Sequence, residues 1–205
     1  MTAPIAAPGP APRPGLRQRK KIKLRRTIQT EALRLFAAQG YEQTTVEQIA
    51  EAAETSTTTF YRYFPTKEDV VLDDDYDAMI EAFALRRPRD ESVAGTFRAV
   101  LAEITAVTEA DSEWNLSRMR LMASVPALDA RYAGEERKTA DLTRRILAER
   151  TGRSPDDFQL ALAAAAVVAV LFTATRRWAA EGGTVPMGTL LDQAVATVEP
   201  VLANL

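Results

Sequence analysis

Apolar side chains recur at every third or fourth position along most of the chain, and this spacing constrains the fold more than any other feature of the sequence. Residues three and four positions apart lie on one face of an α-helix, whereas a half-buried strand needs alternating apolar and polar residues. Such alternation is scarce here, and the Gly and Pro residues that interrupt helices cluster at a few boundaries. The pattern predicts an all-α fold of about nine helices.

Three helices are predicted near the N-terminus. The first runs from about Arg17 to Gln39, with apolar residues on one face. The segment Thr44-Thr45-Val46-Glu47 is typical of a capping box, in which a Thr hydroxyl caps a short helix and Glu47 bonds back. Three turn residues later, Ser56 caps another helix that carries two Phe residues four positions apart. Two short helices joined in this way indicate a helix-turn-helix, whose second helix keeps a free outer face.

The rest of the chain is predicted to form a larger helical body. Thr66-Lys67-Glu68-Asp69 is a second capping box and predicts a helix that continues to about Leu85. The best-delimited helix follows Gly152, with Ser154 as its cap, Pro155 at its first position and an end near Glu181. The other predicted helices are Ser92–Ala110, Ser112–Ser124, Pro126–Arg150 and Met187–Glu199.

Charge is divided unevenly between the two parts. Residues 1–67 contain 11 Lys and Arg against 5 Asp and Glu, whereas residues 68–205 contain 15 against 23. A basic end on an acidic remainder is expected when one end of a protein meets a polyanion. Charge alone leaves DNA, RNA and a membrane surface open as that polyanion.

The composition argues against an enzyme and against a metal site. The chain has no Cys and no His, which removes thiolate nucleophiles, imidazole bases and nearly all zinc or iron ligation. An enzyme would have to rely on carboxylates alone, and no paired carboxylates mark an evident cleft. The acidic run Asp73, Asp74, Asp75 and Asp77 is interpreted as a solvated face, because successive helical positions point in different directions. We expect no catalytic residues, no metal and no cofactor.

We also expect no membrane segment. The longest nearly unbroken apolar run, Leu160–Phe172, is 13 residues long, below the roughly 18 to 20 that a spanning helix needs. The first residues are rich in Ala and Pro without an apolar stretch of useful length, so residues 1–16 are interpreted as a disordered tail and not as a signal peptide. A cytoplasmic location follows as an expectation.

The stretch Ile49–Val71, IAEAAETSTTTFYRYFPTKEDVV, carries a family resemblance. It resembles the DNA-binding motif of the tetracycline-repressor (TetR) family: an apolar first helix, Ser opening the second, Thr three positions later, an aromatic pair, Phe64, a short turn and Lys67. The resemblance implies an N-terminal three-helix domain at 17–66, with its helix-turn-helix at 45–64. It further implies a ligand-binding and dimerisation domain at 67–205, in a homodimer that represses at an inverted-repeat operator and is released by a ligand.

The resemblance also implies which side chains meet double-stranded DNA. Thr57 and Thr58 would face bases and Arg62 bases or backbone, while other residues would contact phosphates. The three successive Thr residues are poor helix formers, so local stability does not explain them. The alternative is a solvated helix with its Tyr residues packed for stability. The predicted DNA-binding residues are Arg17, Lys20, Thr45, Thr57, Thr58, Thr59, Tyr61, Arg62, Tyr63 and Lys67.

Two positions depart from the family pattern. The turn between the two helices usually has Gly followed by an apolar residue, and here it has Glu54 and Thr55. A left-handed Glu54 would cost about 1 kcal/mol relative to Gly, so either the turn is slightly strained or its geometry differs. Tyr63 stands where His is frequent, which should alter one backbone contact without removing it.

The C-terminal domain should bind an effector and a second copy of the chain. The effector is expected to be small and apolar or amphipathic. The stretch from Arg118 to Arg131 and the Arg176-Arg177-Trp178 end resemble regulators whose ligands are acyl-coenzyme A thioesters. This resemblance makes an acyl-coenzyme A one candidate and implies that Arg118, Arg120, Arg176 or Arg177 would hold its phosphates. The candidate pocket residues, each of which could instead be plain core, are Phe97, Leu101, Ile104, Trp114, Arg118, Met119, Met122, Phe172 and Arg176. The candidate dimer residues on the last two helices, with an intramolecular core as the alternative, are Ala161, Ala165, Val168, Leu190, Leu191, Ala194 and Val198.

A sequence-tolerant nucleic-acid coating protein is the main alternative function. It would share the basic N-terminal third but would show no preferred site, and its binding would depend mainly on salt.

Overall fold

A computed structural model of the chain describes residues 15–73 and 76–205, and in these ranges it is all-α, as predicted. The proposed tail at 1–16 falls almost entirely outside the described residues. Ten helices are present in the described ranges: α1 Leu16–Gln39, α2 Val46–Ala52, α3 Thr57–Tyr63, α4 Asp69–Leu72, α5 Tyr76–Arg86, α6 Val93–Ala110, α7 Ser112–Ser124, α8 Pro126–Thr151, α9 Phe158–Ala180 and α10 Met187–Leu202.

The chain divides into two units, one ending at Pro65 and the other running from Thr66 to Leu205. In the N-terminal unit α2 packs on both α1 and α3. Ile28 of α1, Ile49 of α2 and the Phe60–Phe64 pair are completely buried. These few large side chains form the core that fixes α3 beside the two other helices.

The cap of α2 differs from the prediction. Thr45, and not Thr44, is the N-cap, and the reciprocal partner is Gln48 instead of Glu47. The backbone N–H of Gln48 donates to the Thr45 hydroxyl at 3.3 Å, and the Gln48 side chain accepts from the Thr45 N–H at 3.0 Å. Thr44 is buried and donates to the carbonyl of Gly40 at 2.8 Å, so its hydroxyl is committed to the preceding turn.

The capping box at Thr66 forms as predicted, but the helix that it opens is short. The Thr66 N–H donates to Asp69 Oδ2 at 2.8 Å, and the Asp69 N–H donates back to Thr66 Oγ1 at 3.3 Å. Helix α4 then ends at Leu72, and Asp73 has an extended backbone with φ −76° and ψ 115°. The prediction of one helix to Leu85 is therefore wrong, because a run of Asp residues repels itself and has low helix propensity.

The start of α9 also differs from the prediction. Residues 154–157 form a turn, and the N-cap is Asp157, whose carboxylate accepts from the N–H of Gln159 at 2.8 Å. Ser154 instead accepts from the N–H of Asp156 at 3.2 Å, within the turn itself. A carboxylate is the stronger acceptor and is favoured by the helix dipole, so Asp157 displaces the Ser cap three residues earlier.

In the C-terminal unit, α9 is the central helix and packs against α7, α8 and α10. One apolar cluster joins α8, the first half of α9 and the end of α10, with Leu147, Leu160 and Leu202 as members. A second cluster joins the end of α9 to the start of α10 around Trp178 and Met187. Helix α6 packs on α5 and α10, and α5 packs on α8.

Helix α9 is long and apolar enough to cross a membrane when judged by length and composition alone, with a mean hydropathy of 2.1 over its most apolar window. The sequence estimate missed this because it counted only an unbroken run, which Thr173 interrupts. A single such helix is a weak indication, since a core helix has the same composition. In the described part of the chain α7, α8 and α10 pack on α9, and 33% of this window is buried.

Candidate nucleic-acid interface and buried cavity

The outer face of α3 carries Thr58 and Arg62. Phe60 is completely buried in the N-terminal unit, and a residue two positions before or after it projects from the opposite side of a helix. Thr58 and Arg62 occupy those two positions, and both are exposed. A Thr hydroxyl and methyl beside a guanidinium form a set that can bond base edges and phosphates.

The N-terminal turn of α3 positions the other two Thr residues. Ser56 is the N-cap, and its hydroxyl accepts from the N–H of Thr59 at 3.1 Å while it donates to the Thr59 hydroxyl at 3.0 Å. Thr57 and Thr59 are half-buried. The predicted triplet therefore has one fully presented member, Thr58, between two that are partly covered.

The two Tyr rings of α3 are held by their neighbours. Tyr61 is 51% exposed, yet its ring meets Phe60 edge-on, with 5.5 Å between centroids. Tyr63 is half-buried, and the guanidinium carbon of Arg62 lies 5.5 Å from its ring centroid. Such contacts orient aromatic side chains, so both rings flank the Thr58 face in defined positions.

The turn between α2 and α3 has a left-handed backbone at Glu54, which is the strained one of the two alternatives. The φ of 50° at Glu54 is the one positive value among the non-glycine residues of the described ranges. The N–H of Thr55 donates to the carbonyl of Ala50 at 2.9 Å, which closes the end of α2. The family geometry is thus kept with an L-residue in the place of Gly, at the cost of backbone strain.

The remaining N-terminal candidates lie on the surface of the same unit. Thr45 is exposed and uses its hydroxyl as an acceptor in the α2 cap, which leaves the hydroxyl proton able to donate. Arg17 and Lys20 are exposed on the first two turns of α1. The exposed cations of these turns are Arg17, Arg19, Lys20, Lys21 and Lys23.

Lys67 lies in the C-terminal unit, within the capping box that opens α4, and it is half-buried. Arg131 of α8 contacts both ends of this capping box: it donates to Thr66 Oγ1 at 2.9 Å and to Asp69 Oδ1 at 2.5 Å. Partial burial raises the pKa of Asp69, but the hydrogen bonds from Thr66 and Arg131 together hold it below the ordinary 3.8. The start of α4 is therefore tied to α8 by a charged contact.

An apolar cavity lies within the C-terminal unit between α5, α6, α8 and α9. Its volume is about 60 Å³, enough for a few water molecules, so a larger molecule has to displace side chains. The walls are mainly aliphatic, with the hydroxyls of three Thr residues and one guanidinium. The lining residues are Ile80, Ala84, Val93, Thr96, Phe97, Val100, Leu101, Ile104, Thr139, Leu142, Thr143, Ile146, Leu147, Arg150, Val167 and Leu171.

Three of the nine predicted pocket residues, Phe97, Leu101 and Ile104, line this cavity. The other six do not line this cavity, so the cavity does not bring all nine predicted residues into one pocket. Met119 packs on the cluster around Trp178, and Phe172 packs on Tyr132 with 4.8 Å between ring centroids. The members outside the cavity lining are Trp114, Arg118, Met119, Met122, Phe172 and Arg176.

The cations proposed to hold coenzyme phosphates have other environments. Arg118 is 4% exposed, and its guanidinium carbon lies 5.6 Å from the Trp114 ring centroid. Arg176 donates to Asp129 at 2.7 Å and also reaches Glu136 at 3.5 Å. Burial lowers the pKa of Arg176, but these carboxylates outweigh it and raise the pKa above its ordinary value. Arg118 therefore lies in the protein interior, and Arg176 forms ion pairs with two carboxylates.

Sequence reasoning missed the contribution of α8 to the cavity. Thr139, Leu142, Thr143, Ile146 and Arg150 repeat at intervals of three and four, which is the spacing of one helix face. That periodicity could have identified the face. The interpretation favoured Met and aromatic residues instead, whereas this face is made of Thr, aliphatic residues and one Arg.

The predicted dimer residues fall into two groups. Ala161 and Ala165 are exposed on α9, beside the exposed Phe158 and Leu162. The others are buried within the single chain, which corrects their assignment to a surface between chains. Val168 is 3% exposed, and the rest pack in the two clusters that join α9 and α10: Leu190, Leu191, Ala194 and Val198.

Among the described residues, no group of acidic side chains is arranged to hold a metal ion. Asp73 and Asp77 of the acidic run are described, and Asp74 and Asp75 lie outside the described residues.

Two family models match the chain. Residues 28–73 match the model described as bacterial regulatory proteins, tetR family, and residues 91–203 match the MftR C-terminal domain. The chain is 41% identical over 175 residues to the HTH-type transcriptional regulator TcmR of Streptomyces glaucescens, which covers 80% of this chain and 77% of TcmR.

Solved structures show the same fold. Thermus thermophilus FadR, a TetR family transcriptional repressor in complex with lauroyl-CoA, is similar with a TM-score of 0.59 and 26% identity, over 85% of this chain and 92% of that one. Bacillus subtilis FadR, in complex with stearoyl-CoA, has a TM-score of 0.57 and 18% identity, over 84% and 96%. At 18% identity the likeness concerns the fold alone.

Proposed function

The chain belongs to the TetR family of bacterial transcriptional regulators, and we propose that it is a ligand-released repressor that binds an inverted-repeat operator as a homodimer. Regulators of this family are DNA-binding proteins and generally not enzymes. We assign DNA binding to residues 17–66, and ligand binding and dimerisation to 67–205. Such a protein acts on the chromosome, hence in the bacterial cytoplasm.

The observation that carries the proposal is the α3 face, where exposed Thr58 and Arg62 lie opposite the buried Phe60. A recognition helix reads bases from one face while the other is packed in its domain. Arg17, Lys20, Thr45, Thr59, Tyr61, Tyr63 and Lys67 would supply phosphate contacts around it, and Thr57 a second base contact. The phosphate contacts fix the register of the protein, whereas the base contacts of Thr57, Thr58 and Arg62 select the sequence.

Dimerisation is supported by an apolar stripe on α9 that the single chain leaves open. Phe158 is 73% exposed and Leu162 is 53% exposed, and the small residues Ala165 and Ala169 continue the stripe at helical spacing. Small side chains allow two helices to approach closely. A second copy of α9 placed against this stripe would bury it and pair two recognition helices about a twofold axis, as an inverted repeat requires.

The effector would enter the apolar cavity between α5, α6, α8 and α9. An acyl-coenzyme A is one candidate, supported by the ligands of the two similar repressors. The 60 Å³ cavity must expand to take an acyl chain. Helix α8 carries cavity residues and also Arg131, which is bonded to Asp69 of α4. Expansion of the cavity would therefore shift α4, the helix that follows the DNA-binding unit. Release then results from a lower affinity of the ligand-bound state for DNA.

The experiment that tests the DNA-binding role is selection of random duplexes with the purified chain. We expect recovery of an inverted repeat whose half-sites lie one helical turn apart or a multiple of it. Recovery of sequences without a preferred site, with binding set mainly by salt, would instead support the coating protein and contradict the proposal.

A further inference from the structure

Arg150 holds the turn between α5 and α6 from the end of α8. One terminal nitrogen of its guanidinium donates to the carbonyls of Ala84 at 3.3 Å and Arg87 at 3.4 Å. The other donates to Pro88 at 2.7 Å and Glu91 at 3.0 Å. All four acceptors are neutral backbone oxygens, so these bonds satisfy the donors without neutralising the charge.

The third donor of Arg150 has no such acceptor. Its Nε is buried, and within residues 15–73 and 76–205 nothing accepts from it. The side chain also lines the apolar cavity. A buried donor without an acceptor is unfavourable, and in native proteins it calls for a specific explanation such as a bound group.

Arg150, Arg87 and Glu91 interact with one another, and the charges of these three groups sum to one positive charge. Arg87 and Glu91 form an ion pair, and the hydroxyl of Thr96 donates to the same carboxylate at 3.0 Å. The hydrogen bond from Arg87 is the main reason that the pKa of Glu91 lies below its ordinary value. Glu91 is thus ionised and interacts with the charges of both Arg87 and Arg150, so the three groups together keep one net positive charge at the wall of the cavity.

We propose that the cavity binds an aliphatic carboxylate, with Arg150 Nε donating to the carboxylate and the hydrocarbon chain lying among the aliphatic walls. The proposal rests on the proposed function only in taking this cavity as the effector site. A carboxylate head group is proposed because the net charge here is positive and one guanidinium donor is unused. A hydrocarbon tail is proposed because the cavity walls are formed by side chains such as Leu101, Ile146 and Val167. A thioester of coenzyme A has no terminal carboxylate, so the inference separates free acids from acyl-coenzyme A effectors.

The test is isothermal titration calorimetry of the full chain with octanoate, octan-1-ol and octanoyl-CoA at neutral pH. A charge-assisted hydrogen bond predicts that octanoate binds about ten- to a hundredfold more tightly than octan-1-ol. Equal affinities, tighter binding of octanoyl-CoA, or no binding of octanoate at millimolar concentration would each overturn the proposal. Operator binding by the same preparation without a probe is measured separately, and its loss would count against the proposed function instead.

Variants then assign the effect to Arg150. Arg150→Gln should remove most of the preference for octanoate over octan-1-ol. Arg145→Gln, on the exposed side of the same helix and outside the cavity, removes an equal charge and should leave the preference intact. Equal preferences in the two variants would contradict the role of Arg150. Should Arg150→Gln fail to fold, the comparison of probes on the wild-type chain still decides whether a carboxylate is recognised.

Discussion

Thr58 is the side chain whose replacement should most clearly change the sequence that the protein prefers. It is exposed on α3 opposite the buried Phe60, where a base edge would meet it. Thr58→Ala should cost about 1 to 3 kcal/mol on the selected operator, at one base pair per half-site, and less on duplexes that differ there. The measurement is titration of the variant against the selected operator and single-base variants of it.

Lys67→Ala serves as the matched variant, because a phosphate contact carries no sequence information. It should weaken binding to the operator and to a scrambled duplex nearly equally. The slope of log affinity against log salt should fall by about one per subunit. If Lys67→Ala changed the preferred sequence while Thr58→Ala changed only the salt slope, the recognition face would be wrongly assigned even though the fold is right.

Glu54 stores strain in the turn before the recognition helix. With φ at 50° it occupies a region that disfavours L-residues, so Glu54→Gly should stabilise the N-terminal unit by about 1 kcal/mol. Urea unfolding followed by circular dichroism measures the change. Glu51→Gly, at an exposed helical position of α2, should instead destabilise by about 0.5 to 1 kcal/mol. A destabilised Glu54→Gly would show that the turn depends on the Glu side chain.

The left-handed Glu54 was one of two alternatives that the sequence left open, because the family resemblance supplies the turn geometry for Gly and not for Glu. The cap of α2 was likewise not predictable, since Thr44 with Glu47 and Thr45 with Gln48 are overlapping and equally good capping boxes. Burial of Thr44 against Gly40 decides between them, and burial depends on how α1 packs. A sequence pattern of period three or four cannot contain that information.

Helix α4 is held at its first turn by a contact that depends on pH. The folded-state pKa of Asp69 lies below the ordinary 3.8, so its charge stabilises the fold fully above 3.8, and this stabilisation is lost as the pH falls through the folded pKa. Asp69→Asn should lower the free energy of unfolding by about 1 kcal/mol at pH 6, because the amide keeps an acceptor oxygen for Thr66 but loses the charge that strengthens these bonds and pairs with Arg131. It should also make stability less dependent on pH below 4.

Arg131→Gln is the control for this contact. It removes the partner on α8 but leaves the capping box, so it should cost less than Asp69→Asn, and the double variant should cost less than the sum. Additive effects in urea unfolding at pH 6 would show that Asp69 acts through Thr66 alone.

The sequence predicted which segments form helices more accurately than it predicted the residues at which the helices begin and end. The break after Leu72 replaces a predicted continuous helix: Val70, Val71 and Leu72 are buried, whereas Asp73 is exposed and has an extended backbone. The start of α9 moved to Phe158, because Asp157 and Ser154 compete as caps and the stronger acceptor prevails. Both errors concern local signals of similar strength, which tertiary contacts resolve.

The cavity shows the limit of prediction for the C-terminal body. Phe97 and Leu101 belong to an apolar face of α6 that the sequence shows, and both line the cavity. Met119 and Phe172 were not distinguishable from them in sequence, yet they fill contacts between other helices. Which apolar face surrounds a void depends on how well neighbouring helices pack, and a single helix pattern does not determine this.

The stripes on the last two helices were both predicted to lie between chains, but the structure divides them. Leu190 and Leu191 of α10 are needed to cover α9 within one chain. Exposed Ala161 and Ala165 remain on the opposite side of α9, where Leu162 is 53% exposed in the part of the chain that the structure describes. The proposed dimer therefore depends on α9 more than on the stripe of α10.

This division makes Ala165→Arg a clean test of the homodimer. Because Ala165 is exposed in the single chain, a large cation there should be tolerated by the protomer while placing charge in an apolar interface. We expect sedimentation equilibrium to give twice the chain mass for the wild type and for Ala133→Arg, an equally exposed Ala on α8. Ala165→Arg should sediment as a folded monomer with an unchanged helical spectrum and much weaker operator binding. A wild-type monomer at micromolar concentration would rule out the proposed assembly, and a dimeric Ala165→Arg would place the interface on another face.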